Sequence, residues 1–140
     1  MKKKTVYISL PVRGQEEYSR KRAEEIENHY RKLGFNVINP HKIVNDLRDL
    51  LDREPTNSEI MSSCLDELGD SDFMALEPNW SESWGVNVEI IYAQHHGIDI
   101  CEAMSNRKIN FKSKLTNHVI GVKKDNTLLD PVKKPEFQMN

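Results

Sequence analysis

The chain has 140 residues, of which 37% are hydrophobic and 30% charged, and its formal net charge is −2. A chain of this length forms about one domain with a buried core. No apolar run approaches the roughly 18 residues of a membrane span, and no basic face with interleaved aromatic residues is present, so we expect neither a membrane nor a nucleic acid as partner.

The first part of the chain alternates between strand and helix signals. Residues 5–10 (TVYISL) are a β-branched and aromatic run of strand length, and the PVRGQ that follows is typical of a turn. From Gln15 the apolar residues recur with a helical period, and Gly34 is placed to end this helix. Residues 35–39 (FNVIN) predict a second strand, which Pro40 ends. The apolar stripe of the helix consists of Ala23, Ile26, Tyr30 and Leu33.

The middle of the chain gives one open assignment and one clear one. Residues 41–56 are either a loop or a short amphipathic helix within IVNDLRDLL. Thr56 and Glu59 have the spacing of a capping box, which predicts a helix through about Leu68 that ends at Gly69. The DFMALE of residues 72–77 then predicts a third strand.

The last two elements with clear local signals are a helix and a strand. Ser83 can cap a helix that runs from Trp84 to about His96, and residues 98–101 (IDIC) predict a fourth strand. One face of this helix carries apolar residues that we predict to belong to the core. These residues are Trp84, Val88 and Ile91.

This order of elements predicts the fold class. Strands that alternate with helices favour βαβ crossovers, and therefore an α/β fold with a parallel sheet covered on both faces. Residues 118–124 (HVIGVKK) are a candidate for a last strand. We divide the chain into one domain over residues 1–125 and a loosely ordered tail over residues 126–140.

The N-terminus and the cysteines predict a cytoplasmic protein. The basic MKKK is followed by a short apolar run that resembles a strand, without a small-residue cleavage site. Cys64 and Cys101 lack CxxC spacing, so neither a zinc site nor a disulfide framework is indicated. We expect two reduced thiols.

The candidate binding residues follow the predicted strands. Ligands of an open parallel sheet bind beyond the carboxyl ends of its strands, so the loops after the first three strands are expected to line any pocket. Arg13 is either a phosphate ligand or merely solvated, His41 is a candidate base contact or proton donor, and Trp80 either stacks on a base or packs against the sheet edge. The loops hold Arg13 and Gly14, then Asn39 and His41, then Asn79, Trp80 and Ser83.

Glu89 is the most informative single residue. Helical side chains lean toward the N-terminus, so Glu89 projects over Gly85, which has no side chain to fill the space. The start of the same helix offers free N–H groups and the Ser83 hydroxyl, which suit a phosphate or another anion. Glu89 is therefore either a catalytic carboxylate in a cleft or a surface or ion-paired residue on an amphipathic helix.

Three motifs in order resemble one family. VYISLPVRG near the start, GFNVINP after the first helix and NWSESWGVNVE before the fourth strand are similar to motifs of the nucleoside 2-deoxyribosyltransferase-like superfamily. Within it, the chain resembles a group with the pattern Y-I-S-G-P, then N-P, then G-W-x-x-S-x-G-A-x-x-E, and also resembles the deoxynucleoside 5′-monophosphate N-glycosidases. The likeness spans roughly residues 5–101.

The resemblance implies a fold, a reaction and a site. It implies a flavodoxin-like or Rossmann-like three-layer sandwich with about five strands, acting on the N-glycosidic bond of a nucleoside or nucleotide without metal or organic cofactor. Glu89 matches the family nucleophile, and Tyr7 matches a tyrosine near it. The family 5′-phosphate cradle matches the stretch from Pro11 to Gly14, together with Ser83. The complete substrate-binding set is Ser9, Pro11, Arg13, Gly14, Asn39, His41, Asn79, Trp80, Ser83 and Gly85.

The sequence also departs from the family pattern. Leu10 and Asn79 stand where the pattern has glycine, and Leu10 is expected to crowd the backbone approach to a ligand. Cys64 stands where active members carry an aspartate, and a thiol cannot replace a carboxylate in orienting a sugar hydroxyl. Two functions therefore stay open, namely an N-glycosidase or transferase and a non-catalytic nucleotide-binding or sensing module.

The charges are distributed in blocks. Residues 41–104 hold 3 basic and 14 acidic residues, a net charge of −11, whereas residues 1–40 carry +4 and residues 105–140 carry +5. This pattern is either a solvated surface or a complementarity between subunits. The resemblance implies a homo-oligomer, a dimer or a larger assembly.

Overall fold

Four strands and four helices make up the described part of the chain. The computed structural model describes residues 2–12, 14–78 and 82–111. The elements are β1 (Thr5–Ser9), α1 (Glu16–Lys32), β2 (Asn36–Ile38), α2 (Pro40–Leu51), α3 (Asn57–Gly69), β3 (Phe73–Leu76), α4 (Trp84–His95) and β4 (Asp99–Glu102).

All strands of the sheet run parallel, in the order β2-β1-β3-β4. The predicted α/β class is therefore confirmed, with four strands in the described residues rather than about five. The candidate strand over residues 118–124 and the boundary at residue 125 lie outside the described residues. Apart from the open region after residue 40, each strand and helix predicted within residues 5–101 is present, with ends within two residues of those expected.

The alternation of side chains along β1 creates two cores. Val6 and Ile8 pack with Ala23 and Ile26 of α1 on one face of the sheet. Tyr7 lies on the other face, in a cluster with residues of α3 and α4. Successive strand residues point to opposite faces, so Ser9 shares the α4 side with Tyr7.

Side chains at the helix starts explain where the helices begin. Thr56 and Glu59 form the predicted capping box, and Ser83 accepts a hydrogen bond from the Val86 N–H, as predicted for the start of α4. Asn39 caps α2, and Pro40 occupies its first turn. Proline has no N–H to lose there and already has a helical φ. The open region after residue 40 is thus a helix through Leu51.

The prediction that Trp84, Val88 and Ile91 of α4 belong to the core is wrong. Trp84 is 64% exposed and Ile91 is 41% exposed, while Val88 is half-buried. Val86, Ile90 and Ala93 instead form the buried side of α4. This helix carries apolar residues on both sides, so its periodicity could not decide which side faces the sheet.

The sheet order positions the site. From β1 the chain crosses through α1 to β2 on one side, whereas from β3 it crosses through α4 to β4 on the other side. Ligands of such sheets bind at this point of reversal. Ser9 and Leu76 are paired at the carboxyl ends of the two central strands. Asp72 accepts a hydrogen bond from the Thr5 N–H at the opposite end of these strands.

Candidate active site

The Glu89 carboxylate is held between two hydroxyl groups of β1. The Tyr7 hydroxyl donates to Oε2 at 2.5 Å, and the Ser9 hydroxyl donates to Oε1 at 2.6 Å. Glu89 is only 7% exposed, and no cationic side chain among the described residues contributes to its pKa. The alternative that Glu89 is a surface or ion-paired residue is therefore wrong.

Burial dominates the electrostatics of this carboxylate. Desolvation raises the pKa of Glu89 to about 7, against the hydrogen bonds from Ser9 and Tyr7, which lower it. Burial also raises the pKa of Tyr7 well above its usual value, and the nearby Glu89 charge raises it further. Tyr7 therefore stays protonated and donates, while Glu89 exchanges a proton near neutral pH.

Cys64 of α3 lies beside the Tyr7 phenol. The thiol is buried and interacts with Tyr7. Burial, followed by the Glu89 charge, raises the pKa of Cys64 to about 12. At this position the chain holds a neutral thiol, so it supplies no second carboxylate here.

The start of α4 lies one turn before Glu89. The Ser83 hydroxyl oxygen caps the helix, because it accepts a 3.2 Å hydrogen bond from the Val86 N–H. The backbone carbonyl of Ser83 accepts a 2.8 Å hydrogen bond from Asn87 Nδ2. A Cβ added to Gly85 would meet Met61 Cε at 3.4 Å, its one close neighbour among the described residues. Met61 was not predicted to take part. Its side chain is flexible, so the space beside Gly85 is adjustable.

The turn after β1 brings a second helix start to the same edge of the sheet. Pro11 is buried, and Gly14 has φ +83, a conformation that favours glycine. The Gln15 side chain does not cap α1, whose first turn carries Glu16 and Glu17, and the Gly14 N–H donates to Glu16 Oε2 at 3.3 Å. The predicted ligands Arg13, Asn79 and Trp80 lie outside the described residues.

Asn39 and His41 connect α2 with α1 and make no hydrogen bond to Glu89. Asn39 accepts from the His41 N–H at 2.9 Å and donates to Glu27 at 3.1 Å. His41 Nε2 lies 2.8 Å from the hydroxyl of the buried Ser19. Burial, followed by the charge of Arg20, lowers the pKa of His41. The Ser19 contact was not predicted, because a serine within an apolar stripe gives no signal of its partner.

Comparison with known families decides where the chain belongs. Residues 4–102 match a family described as a domain of unknown function, DUF4406. The chain belongs to the DUF4406 family. No curated protein matches it. The match runs from the start of β1 to the end of β4 and therefore includes Tyr7, Ser9 and Glu89.

Leu10 does not occupy the Glu89 side of this DUF4406 domain. Its side chain packs in the α1-side core with Val6 and Ile8. That Leu10 crowds the backbone approach to a ligand stays a prediction, but its side chain is buried in this core and not on the Glu89 side. The register of β1 explains this, because Leu10 follows Ser9 and so points to the opposite face.

Glu77 is a further buried acid of the DUF4406 domain that sequence reasoning missed. Its Oε2 accepts a 2.8 Å hydrogen bond from Arg22 Nε, and its backbone N–H donates to the Ser9 carbonyl at 3.0 Å. This pair fixes α1 against the carboxyl end of β3. A glutamate directly after an apolar strand was the available signal.

The described ranges contain neither a group of potential metal ligands nor a helix that could span a membrane. There, no three His, Cys, Asp or Glu side chains are grouped in a way that would hold a metal ion. None of the helices described is both long enough and apolar enough to cross a bilayer.

Proposed function

We propose that this DUF4406 chain is a member of the nucleoside 2-deoxyribosyltransferase-like superfamily. It cleaves or transfers the N-glycosidic bond of a nucleoside or a nucleoside 5′-monophosphate. The observation that carries the proposal is the buried Glu89 carboxylate, held by Tyr7 and Ser9 in the carboxyl-terminal half of β1. This matches the resemblance in the sequence, in which Glu89 is the nucleophile and Tyr7 lies near it.

The geometry supports covalent catalysis. One Glu89 oxygen attacks C1′ of the sugar while the bond from C1′ to the base nitrogen breaks, and the base leaves with the bonding electrons and takes up a proton. Water then attacks C1′, gives up a proton and releases Glu89 with the free sugar. If a second base attacks instead of water, the result is transfer. Tyr7 and Ser9 keep the carboxylate oriented in both steps.

Two helix starts supply the anion site of the proposal. The N-terminus of α4 beside Ser83 and the N-terminus of α1 after Gly14 both open at this edge of the sheet. Backbone N–H groups and the positive end of the helix dipole favour a phosphate there. Arg13 is assigned to the same phosphate, and Trp80 to the base.

The observation at Cys64 favours a second candidate function. A thiol with a pKa of about 12 is a poor proton donor and cannot orient a sugar hydroxyl as a carboxylate does. A domain with this feature can bind a nucleotide without turning it over. The alternative is therefore a nucleotide-binding or sensing module with the same binding residues.

We also propose a cytoplasmic location for this activity. Both cysteines are free thiols, as in proteins of reducing compartments.

Release of free base tests the proposal. The purified chain is incubated with deoxynucleosides, ribonucleosides and their 5′-monophosphates, with and without a second base, and products are separated by chromatography. We expect release that Glu89→Gln abolishes and that Glu24→Gln, on the exposed side of α1, leaves unchanged. Equal rates for the parent and Glu89→Gln contradict it. Ligands that raise the melting temperature without being consumed support the sensing module instead.

A further inference from the structure

One oxygen of the Glu77 carboxylate is a buried acceptor without a donor. Glu77 directly follows β3 and is only 5% exposed. Its Oε2 accepts the hydrogen bond from Arg22 Nε, whereas its Oε1 is buried and accepts no hydrogen bond from any described residue. Buried polar atoms of native proteins nearly always have a partner, because an unpaired one loses its hydration without compensation. A donor from outside the described residues is therefore expected at Oε1.

The neighbours of Glu77 in the sheet do not supply that donor. The Glu77 N–H donates to the Ser9 carbonyl on one side, and the Ala103 N–H donates to the Leu76 carbonyl on the other. By this register an apolar residue flanks Glu77 on each side, and another precedes it on the same face of the sheet. The direction left for a donor is the carboxyl edge of the sheet, where ligands of such folds bind. The three apolar residues are Leu10, Ala75 and Ala103, all in the α1-side core.

The charges around Glu77 favour a neutral donor. The Arg22 guanidinium already compensates the buried carboxylate through its Nε. Its Nη1 also pairs with Glu25, whose side chain is 65% exposed and is therefore screened by water. A second cation at Oε1 would lie close to the guanidinium and be repelled by it. A hydroxyl group donates a hydrogen bond without adding a charge.

We propose that Glu77 Oε1 accepts a hydrogen bond from a hydroxyl group of the ligand's sugar. This inference rests on the proposed function, in which Glu89 attacks C1′ of a nucleoside or nucleotide. Ser9 links the two acids, because its hydroxyl holds Glu89 and its carbonyl accepts the Glu77 N–H. The sugar is thus the part of the ligand closest to Glu77, whereas the base needs a path out of the site.

Glu77 then supplies the acceptor that Cys64 does not. A thiol is a weak hydrogen-bonding group, whereas an ion-paired carboxylate makes a strong, charge-assisted bond to a hydroxyl. A sugar that lacks the hydroxyl would leave the buried oxygen unpaired, and such sites discriminate strongly against the poorer ligand. Glu77 is therefore a specificity-determining residue for the sugar and takes no part in breaking the bond at C1′.

Ligand pairs with and without sugar hydroxyls test the inference. Isothermal titration uses the full chain in the Glu89→Gln background, which cannot attack C1′. It compares the ribonucleoside 5′-monophosphates of adenine, guanine, cytosine and uracil with their 2′,3′-dideoxy counterparts. We expect a ligand with hydroxyls to bind at least about tenfold more tightly than its counterpart. Adding Glu77→Gln should reduce this ratio to about threefold or less, because an amide nitrogen replaces the accepting oxygen.

Glu25→Gln is the matched control, because Glu25 pairs with the same arginine but is exposed. We expect this variant to keep the parent ratio. An unchanged ratio in Glu77→Gln overturns the inference, as does a chain that binds both ligands of every pair equally or binds none of them. If Glu77→Gln does not fold by circular dichroism, Glu77→Asp replaces it. This variant keeps an acid opposite Arg22 but withdraws its oxygens, with the same expected loss and the same contradicting result.

This outcome is separable from that of the proposed function. Free base released by the parent chain, together with an unchanged ratio in Glu77→Gln, would refute only the assignment of Glu77. A preference for sugar hydroxyls that depends on Glu77, in a chain that neither releases nor exchanges a base, would support Glu77 as a ligand contact and refute the N-glycosidase and transferase.

Discussion

The Tyr7 hydroxyl donates a 2.5 Å hydrogen bond to Glu89 Oε2, although 82 residues separate the two in sequence. The bond joins the central strand β1 to the helix α4. Because Ser9 holds the other carboxylate oxygen, the acidic group is fixed at both ends by residues two positions apart on one strand. A carboxylate in this position is oriented before any ligand arrives.

The raised pKa of Glu89 predicts a pH dependence of stability. The pKa is about 7 in the folded chain against an ordinary value of 4.5, so between these values the folded state retains a proton that the unfolded state has lost. The free energy of unfolding should therefore fall as pH rises from about 4.5 to 7, by at most about 3 kcal/mol. Urea unfolding at several pH values measures this.

The matched variant for that measurement is Glu89→Gln, which cannot ionise. Its amide can still hydrogen-bond to the hydroxyls of Tyr7 and Ser9, which donate or accept. We expect the difference in unfolding free energy between variant and parent to grow in favour of the variant as pH rises from about 4.5 to 7, and to level off above 7. A constant difference across this range would show that Glu89 does not titrate with a raised pKa.

Tyr7→Phe should shift the titration of Glu89 to higher pH. The Tyr7 hydrogen bond lowers the carboxylate pKa, so removing this bond lets desolvation raise the pKa further. The loss of a buried hydrogen bond also costs about 1–2 kcal/mol of stability. Carboxyl carbon NMR of the labelled chain reads the midpoint directly. Tyr18→Phe, at an exposed tyrosine of α1, serves as the control and should leave the Glu89 midpoint in place.

Ser83→Ala and Thr56→Ala separate a capping role from a ligand role. Both side chains cap a helix, so each substitution should cost about 1 kcal/mol of stability. We expect only Ser83→Ala to reduce the preference for nucleoside 5′-monophosphates over nucleosides, as measured by thermal shift or base release. An equal loss of that preference in both variants would remove Ser83 from the proposed anion site.

Gly85→Ala and Met61→Ala should have opposite effects on ligand binding. The added Cβ at position 85 would contact Met61 Cε at 3.4 Å, which the fold can accommodate but which narrows the space beside residue 85. Removing the Met61 side chain widens the same space. We expect nucleotide affinity to fall at least severalfold in Gly85→Ala, while Met61→Ala binds as well as the parent or better. Isothermal titration with both variants checks this, and unchanged affinity in Gly85→Ala contradicts a ligand at this position.

Local signals in the sequence predicted most of the fold. The capping pair Thr56 and Glu59, the cap Ser83 and the strand of residues 5–10 each depend on neighbours a few residues away, and all three are confirmed. The outer side of α4 was assigned wrongly, because an apolar helix has no periodicity that separates sheet from solvent. The region after Pro40 stayed open, because proline both ends strands and begins helices.

The site was predictable only in part. Periodicity and spacing indicated Glu89 as a candidate, and the family resemblance placed Tyr7 near it, but no local pattern fixes the rotamers that join a helix to a strand. The Ser19–His41 and Arg22–Glu77 contacts connect elements far apart in sequence, and neither followed from any motif. The nucleotide and the reaction stay predictions.

Glu89 and its two donors belong to regular elements, whereas the candidate binding residues Pro11, Gly14 and Ser83 lie in turns between elements. Such turns tolerate exchange far better than a central strand does. Grafting the segments at residues 10–15 and 77–83 from other DUF4406 chains is therefore a practical route to new ligand preferences, with the reactive group left undisturbed as a common platform.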